Sequence, residues 1–210
     1  NDAAVLNPGA LFTVSTASAS NMVQGLTLAG SLSGGGTGGG AVLTKAGAGV
    51  LVLSGSTNTF GTLGAYVDIQ GGMLQVATDG ALGNLNNYVR LSTNSPTQGL
   101  RVDGTFGTLR PILFNAGSNA VDVTGGNTLT LLYPVLASAG STALFKNDNG
   151  VLVFASAVNN VPWGGTLTVN GGAARIVHAN ALGGTATTLV QGTGAFGAAI
   201  QISGSLDMYN

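Results

Sequence analysis

The sequence predicts an all-β chain wound as a solenoid, and three observations carry that expectation. The apolar residues come in short runs broken by Gly, Ser, Thr or Asn, which is the punctuation of strands and turns. No segment carries the i, i+3, i+4, i+7 apolar stripe of a helix, and 36 glycines in 210 residues disfavour long helices, at about 1 kcal/mol per glycine relative to alanine. Finally, the pattern of Ala41–Gly83 returns about 100 residues later in Ala143–Gly183.

The opening stretch offers strands at Ala10–Val14 and Leu26–Leu28, with Asn7-Pro8-Gly9 as a turn. Leu26, Leu28 and Leu32 fall at spacings of two and four, so all three are expected on one face of extended chain. Gly34–Gly40 holds six glycines and a threonine and reads as a turn-forming excursion. A phosphate loop would need a following Lys-Ser/Thr and a helix, and the sequence has neither there.

The first copy places strands at Val42–Leu43, Val50–Leu53, Tyr66–Ile69 and Met73–Val76. Val50–Leu53 is apolar on both faces, which suits a strand covered by core on one side and partly exposed or covered by a neighbour on the other. A polar turn at Asn84–Asn87 leads to strands at Val89–Leu91 and Leu100–Val102, and Asp103-Gly104 closes with a turn signal.

In the second copy Lys146 answers Lys45, Val151-Leu152-Val153 answers Val50-Leu51-Val52, and Gly171-Gly172 answers Gly71-Gly72. Ala181-Leu182-Gly183 ends it as Ala81-Leu82-Gly83 ends the first. Leu113-Phe114 stands where Leu11-Phe12 did, Thr128–Leu131 where Gly25–Leu28 did, and Ile200–Gly204 where Leu100–Gly104 did. The chain therefore divides into units 1–105 and 106–210 of one continuous solenoid, and Leu206–Asn210 opens what would be a third unit of a longer protein.

A solenoid is preferred to a sandwich because small residues separate the aliphatic ones, as stacking at the ~4.8 Å strand spacing demands. Asn and Thr recur at turns, where amides and hydroxyls bond from coil to coil. At about 20 residues per coil the chain would make roughly ten coils, rising about 50 Å.

Composition removes several function classes. Charged residues are 6% and the net charge is -1, so there is no basic patch for nucleic acid. No apolar run reaches the roughly 18 to 20 residues of a membrane-spanning helix. The runs are also shorter than the roughly 9 to 11 residues of a barrel strand, and an aromatic girdle is missing. With no cysteine there is neither a disulfide framework nor a thiol nucleophile.

The carboxylates are Asp2, Asp68, Asp79, Asp103, Asp122, Asp148 and Asp207, with no glutamate. Asp79 and Asp103 lie close to one coil apart, the arrangement of paired acids in a glycan-cleaving enzyme. Both precede glycine, and their counterparts are Ala179 and Ser203, so solvated turns are expected. His178 is the only histidine, too few ligands for zinc, and it reads as a surface residue. No Gly-x-Ser-x-Gly elbow or calcium nonapeptide array occurs. No cofactor or metal is expected. Lys45 and Lys146 are expected to lay their stems over apolar surface with the ammonium in water.

Leu43, Lys45, Gly47, Gly49, Leu51, Leu53, Ser54-Gly55 and Asn58-Thr59-Phe60-Gly61, followed by Gly-x-Leu and Ala81-Leu82-Gly83, resemble the autotransporter-associated β-strand repeat, also called the passenger-associated transport repeat. The second copy is looser. It keeps Lys146, Gly150, Leu152 and Ala181-Leu182-Gly183, while Asn147 and Asn149 enter near the first turn and Val161-Pro162-Trp163 replaces Thr59-Phe60. The resemblance implies a right-handed parallel β-helix in an exported bacterial surface protein. It implies a structural or adhesive stalk or fibre subunit, extracellular and non-enzymatic, making homotypic contacts or binding a cell-surface glycan or protein. A β-helical polysaccharide-degrading enzyme or glycan-binding spike is the alternative. The repeat is a building unit, and the function lies in what it carries or joins.

Overall fold

The computed structural model describes residues 3–15, 25–36, 38–115, 117–138, 142–157, 163, 165–178, 181–182, 187–192 and 197–203. The chain is a parallel β-solenoid of about seven turns. Three sheets run along it, and every strand pairing among the described residues is parallel. The first face stacks Ala10–Thr13, Ala41–Ala46, Tyr66–Ile69, Tyr88–Leu91, Ile112–Phe114 and Val135–Ala137. The second stacks Gly25–Leu28, Val50–Leu53, Met73–Val76, Gly99–Val102, Ser118–Val123, Ala143–Asn147, Thr166–Val169 and Thr187–Val190.

The third face begins with Ala4–Leu6 paired to Leu32–Gly34. It continues through the Thr59–Gly61 segment, which bonds to Leu32 and Gly34, and through a 3-10 turn at Asp79–Leu82. It resumes as Phe106–Thr108, Thr128–Leu131, Val151–Phe154, Gly172–Ile176 and Ala198–Ile202.

Because side chains alternate along a strand, every second residue points into the coil and stacks on its equivalent in the next. On the second face the stack runs Leu26, Leu51, Leu74, Leu100, Val121, Lys146, Val169, Val190. Phe12, Lys45, Ile69, Leu91, Phe114 and Ala137 form one on the first face, and Leu129, Leu152, Ala174 and Ile200 one on the third. Leu43, Leu51, Leu53, Phe60 and Leu152 are fully buried, while Val50 and Val52 on the outer side of their strand are half-buried. Ala81 and Leu82 are buried in the 3-10 turn, and Ala181 is buried in its own coil; Gly183 lies outside the described residues. Trp163 takes the place of Phe60 in the second copy and packs inside against Phe114, with ring centroids 5.7 Å apart.

Two expectations change, and two relations between the sequence copies emerge. Successive members of the second-face stack are 21 to 26 residues apart, so the coil is longer than 20 residues and there are about seven turns instead of ten. Seven steps at the strand spacing rise about 34 Å. Corners that house glycine turns and side-chain bonds account for the extra residues. Secondly, Leu32 does not share a face with Leu26 and Leu28, because the chain bends at Gly30-Ser31 and puts Leu32 on the third face.

Thirdly, the two sequence copies do not lie above one another. Lys45 is on the first face and Lys146 on the second; Val50–Leu53 is on the second and Val151–Phe154 on the third. The 101 positions between the lysines are about four and one-third coils, so the second copy is advanced by one face. Fourthly, the leader equivalence does not share this advance: Leu11-Phe12 and Leu113-Phe114 both lie on the first face.

Candidate functional site

The groups with chemical potential are buried inside the coil corners. Lys45 and Lys146 are both 0% exposed, which overturns the expectation of ammonium groups in water. The strand alternation that points Leu43 inward points Lys45 inward too, so its stem fills a core position and its ammonium lies beneath the corner. Lys45 Nζ donates to the carbonyls of Ala46 and Gly47 at 2.7 Å and of Gly71, one coil on, at 2.8 Å. Lys146 Nζ does the same with Asn147, with Asp148 at 2.7 Å and with Gly171 at 3.2 Å.

An ammonium has three donors, and each cage supplies three carbonyls. Burial pushes both lysines down to about 8, still above neutrality, so both are charged at pH 7 and each clamps two coils. The cage needs a sharp left-handed corner. Gly47 supplies it with φ 74° and Asp148 with φ 63°, aspartate being among the few side chains that enter this region readily. Gly72 and Gly172, at φ 63° and 64°, turn the next coil over it.

Asparagine serves the same purpose elsewhere. Asn58 is buried, accepts from the Leu32 amide and donates to the Ala81 carbonyl, both at 2.8 Å, so one side chain ties three coils. Asn87 donates to Phe60 and Leu82 carbonyls. On the second face Asn170 donates to Asn147 Oδ1 at 2.8 Å, and Asn147 to Asp122 Oδ1 at 2.9 Å, the stacked amides that the turn composition suggests.

Arg110 is 1% exposed and lies under the corner of the preceding coil. It donates to Asp79 Oδ1 at 2.8 Å, to the Asp79 and Gly83 carbonyls at 3.1 and 2.8 Å, and to the Asn84 carbonyl. Asp79 is therefore an ion-paired member of a 3-10 turn and not a solvated turn residue. Asp103 is exposed, as expected, and accepts from Thr124 Oγ1 at 2.8 Å and Gln75 Nε2 at 3.2 Å. The two acids thus have separate partners and form no pair.

Asp68 is fully buried between Arg90, 2.6 Å away, Gln70 and Ser92, while Arg90 stacks over the Tyr66 ring at 4.0 Å. Burial pushes the Asp68 carboxyl up, but the hydrogen bonds from Arg90, Gln70 and Ser92 outweigh it and hold it below the usual value. Burial pushes the Asp122 carboxyl up, against the Asn147 hydrogen bond. Asp148 lies 3.5 Å from Arg101. His178 is exposed, and Asp2, Asp207 and Ala179 lie outside the described residues.

An open cleft of about 380 Å³ lies on the third face, lined by Asn58, Thr59, Gly80, Gly83, Asn84, Leu85 and Asn86, with no carboxylate in its wall. No group of three or more metal-ligating side chains occurs among the described residues, and no helix there is long and apolar enough to cross a membrane. The sequence reading missed Arg110 and the Asp68–Arg90 pair. Asp68 and Arg90 are register partners 22 residues apart, visible only once the coil length is known.

No protein-family model matches the chain, and no curated protein or solved structure matches it.

Proposed function

We propose that this chain is a structural stalk, a stiff segment of an exported bacterial surface protein of the autotransporter-associated repeat type. It would hold adhesive parts away from the cell. One observation carries this reading: the buried polar side chains Lys45, Lys146, Asn58 and Arg110 all spend their hydrogen bonds within or between coils. A solenoid gains stability coil by coil, and such clamps stiffen each junction along its length. The described carboxylates support the same reading over a glycan-cleaving enzyme, since Asp68, Asp79, Asp103, Asp122 and Asp148 each have a named polar partner.

Antibodies raised against the chain should label intact cells of its source, and labelling only after permeabilisation would remove the surface assignment. Incubation with a glycan panel should release no reducing ends. Turnover that disappears in Asp79→Asn or Asp103→Asn would replace the stalk with the enzyme.

A further inference from the structure

The outside of the solenoid carries an apolar feature that the interior does not use. Leu63, Leu85, Leu109 and Leu132 are 77%, 72%, 69% and 43% exposed. Each stands three residues before a first-face strand, those beginning at Tyr66, Tyr88, Ile112 and Val135. All four therefore occupy the corner between the third and first faces, in four consecutive coils. Leu63 and Leu85 precede the stacked inward residues Val67 and Val89 by four positions. Leu109 and Leu132 precede Ile112 and Val135 by three, so the stripe is two pairs slightly offset around the corner. Its three steps rise about 14 Å.

Two further features mark this corner. It is pinned from beneath, because Arg110 bonds the Gly83 and Asn84 carbonyls next to Leu85 and donates to Asp79. Leu85 and Leu109 are thus presented on a fixed backbone, and little ordering is needed when they are covered. The corner is also free of surface charge: its residues 61–65, 83–87, 108–111 and 131–134 include one charged side chain, Arg110, which is 1% exposed. In the preceding coil the corner is Gly38–Gly40, which brings no side chain, so the stripe has a defined end.

We infer that this leucine stripe is the docking surface for a second copy of the same chain, solenoid flank against solenoid flank. A partner must offer uncharged apolar points at the strand spacing, and another copy of this stripe has that spacing by construction. A two-fold pairing lets each leucine seat between rungs of the opposite stripe, with the same patch used on both copies. With these exposures the stripe is on the order of the largest apolar patch of an ordinary monomer, about 300–600 Å², the patch that is often functional. Doubled across the axis and joined by the neutral corners, it comes to about the 1,000 Å² of a weak, transient interface. The dimer is therefore concentration-dependent. The inference deepens the stalk reading by naming the flank on which two stalks join.

Sedimentation equilibrium from micromolar to millimolar protein tests it, comparing the native chain with Leu85→Ser/Leu109→Ser. The exposed substitutions should leave thermal unfolding unchanged and weaken self-association by about tenfold or more. Since the chain has no cysteine, a single Leu85→Cys or Leu109→Cys reports proximity directly. Mixed or alone, these should cross-link faster than the exposed control Ala77→Cys on the corner between the second and third faces. A native chain that stays monomeric throughout, or a dimer that Leu85→Ser/Leu109→Ser leaves intact, overturns the pairing and leaves the stalk standing. Flotation of the monomer with phosphatidylcholine vesicles, lost in the double variant, would give the stripe to a membrane and also overturn it. Glycan turnover would overturn the stalk while leaving the pairing in place.

Discussion

Lys45 and Lys146 hold matching cages of three backbone carbonyls on adjacent faces of the solenoid, 101 positions apart in the chain. Their sequence spacing is not a whole number of coils, and the motif therefore turns with the chain. What the motif preserves is a local device, one charged donor group under a left-handed corner, and not a line of identical surface up one side.

Each cage should be a stability element whose loss is felt at once. Lys45→Met keeps the stem but leaves the Gly47 and Gly71 carbonyls without a donor, Ala46 keeping the Val14 amide, and should cost about 2–4 kcal/mol. Arginine cannot rescue it, since a planar fork does not converge on three carbonyls about one point. Lys146→Met should cost a similar amount, and the double variant should lose the sum to within about 0.5 kcal/mol, the cages being several coils apart. Denaturant unfolding at pH 7 measures all three. A Lys45→Met chain as stable as the native one would show that the lysine is merely filling space.

The glycines above the cages make a sharper steric prediction. A Cβ on Gly72 would lie 2.2 Å from the Gly49 carbonyl oxygen, and one on Gly172 would lie 2.2 Å from that of Gly150. Both backbones also sit at positive φ. Gly72→Ala and Gly172→Ala should each destabilise the chain by about 2 kcal/mol or more. Gly40→Ala, where nothing lies within 4 Å, should change stability by less than about 0.5 kcal/mol. Thermal unfolding of the three variants side by side checks the contrast.

The sequence made some of this legible and concealed the rest for identifiable reasons. Strand positions such as Val50–Leu53 and Tyr66–Ile69 were readable because short apolar runs between glycine turns have few other solutions. The recurrence of Lys45 at Lys146 was equally visible. Its burial was not, because a lysine at an inward strand position looks like one on an outer face until the carbonyls beneath the corner are placed. The coil length was hidden too, since corners of unequal length separate the strands. With it went the partnerships that depend on register, Asp68 with Arg90 and Arg110 with the turn at Asp79.

Asp68 and Asp122 should respond to pH in opposite senses. Asp68 keeps its charge to lower pH in the folded chain than in the unfolded one, so its contribution is present above the usual aspartate range and lost on acidification through its folded value. Asp68→Asn should therefore destabilise at pH 7 and matter progressively less well below pH 4. Asp122 is raised, so the folded chain takes up its proton first and the charged form costs stability at neutral pH. Asp122→Asn extends the amide stack toward Asn147 and Asn170 and should be neutral or stabilising at pH 7. Unfolding midpoints of both variants across the acid range give the signs, and parallel profiles would contradict the assignment.

Arg110 should be the single most sensitive surface-distant residue of the third-face corner. Its guanidinium neutralises Asp79, satisfies the carbonyls that the 3-10 turn leaves open at Asp79 and Gly83, and adds a second donor to the Asn84 carbonyl beside the Asn87 amide. Arg110→Met would strand a half-buried carboxylate beside the Asp79 and Gly83 carbonyls, while Asn84 would keep its bond from the Asn87 amide, a loss of about 3–5 kcal/mol. Because the removed bonds are confined to residues 79–84, amide exchange should quicken there and in the adjoining corner through Asn87 before it changes around Lys146. Asp79→Asn should cost less in the Arg110→Met background than in the native chain, since the charge then has no partner to lose. If exchange instead quickens uniformly along the solenoid, Arg110 supports the whole stack and not its corner, and the leucine at position 85 is not held by it.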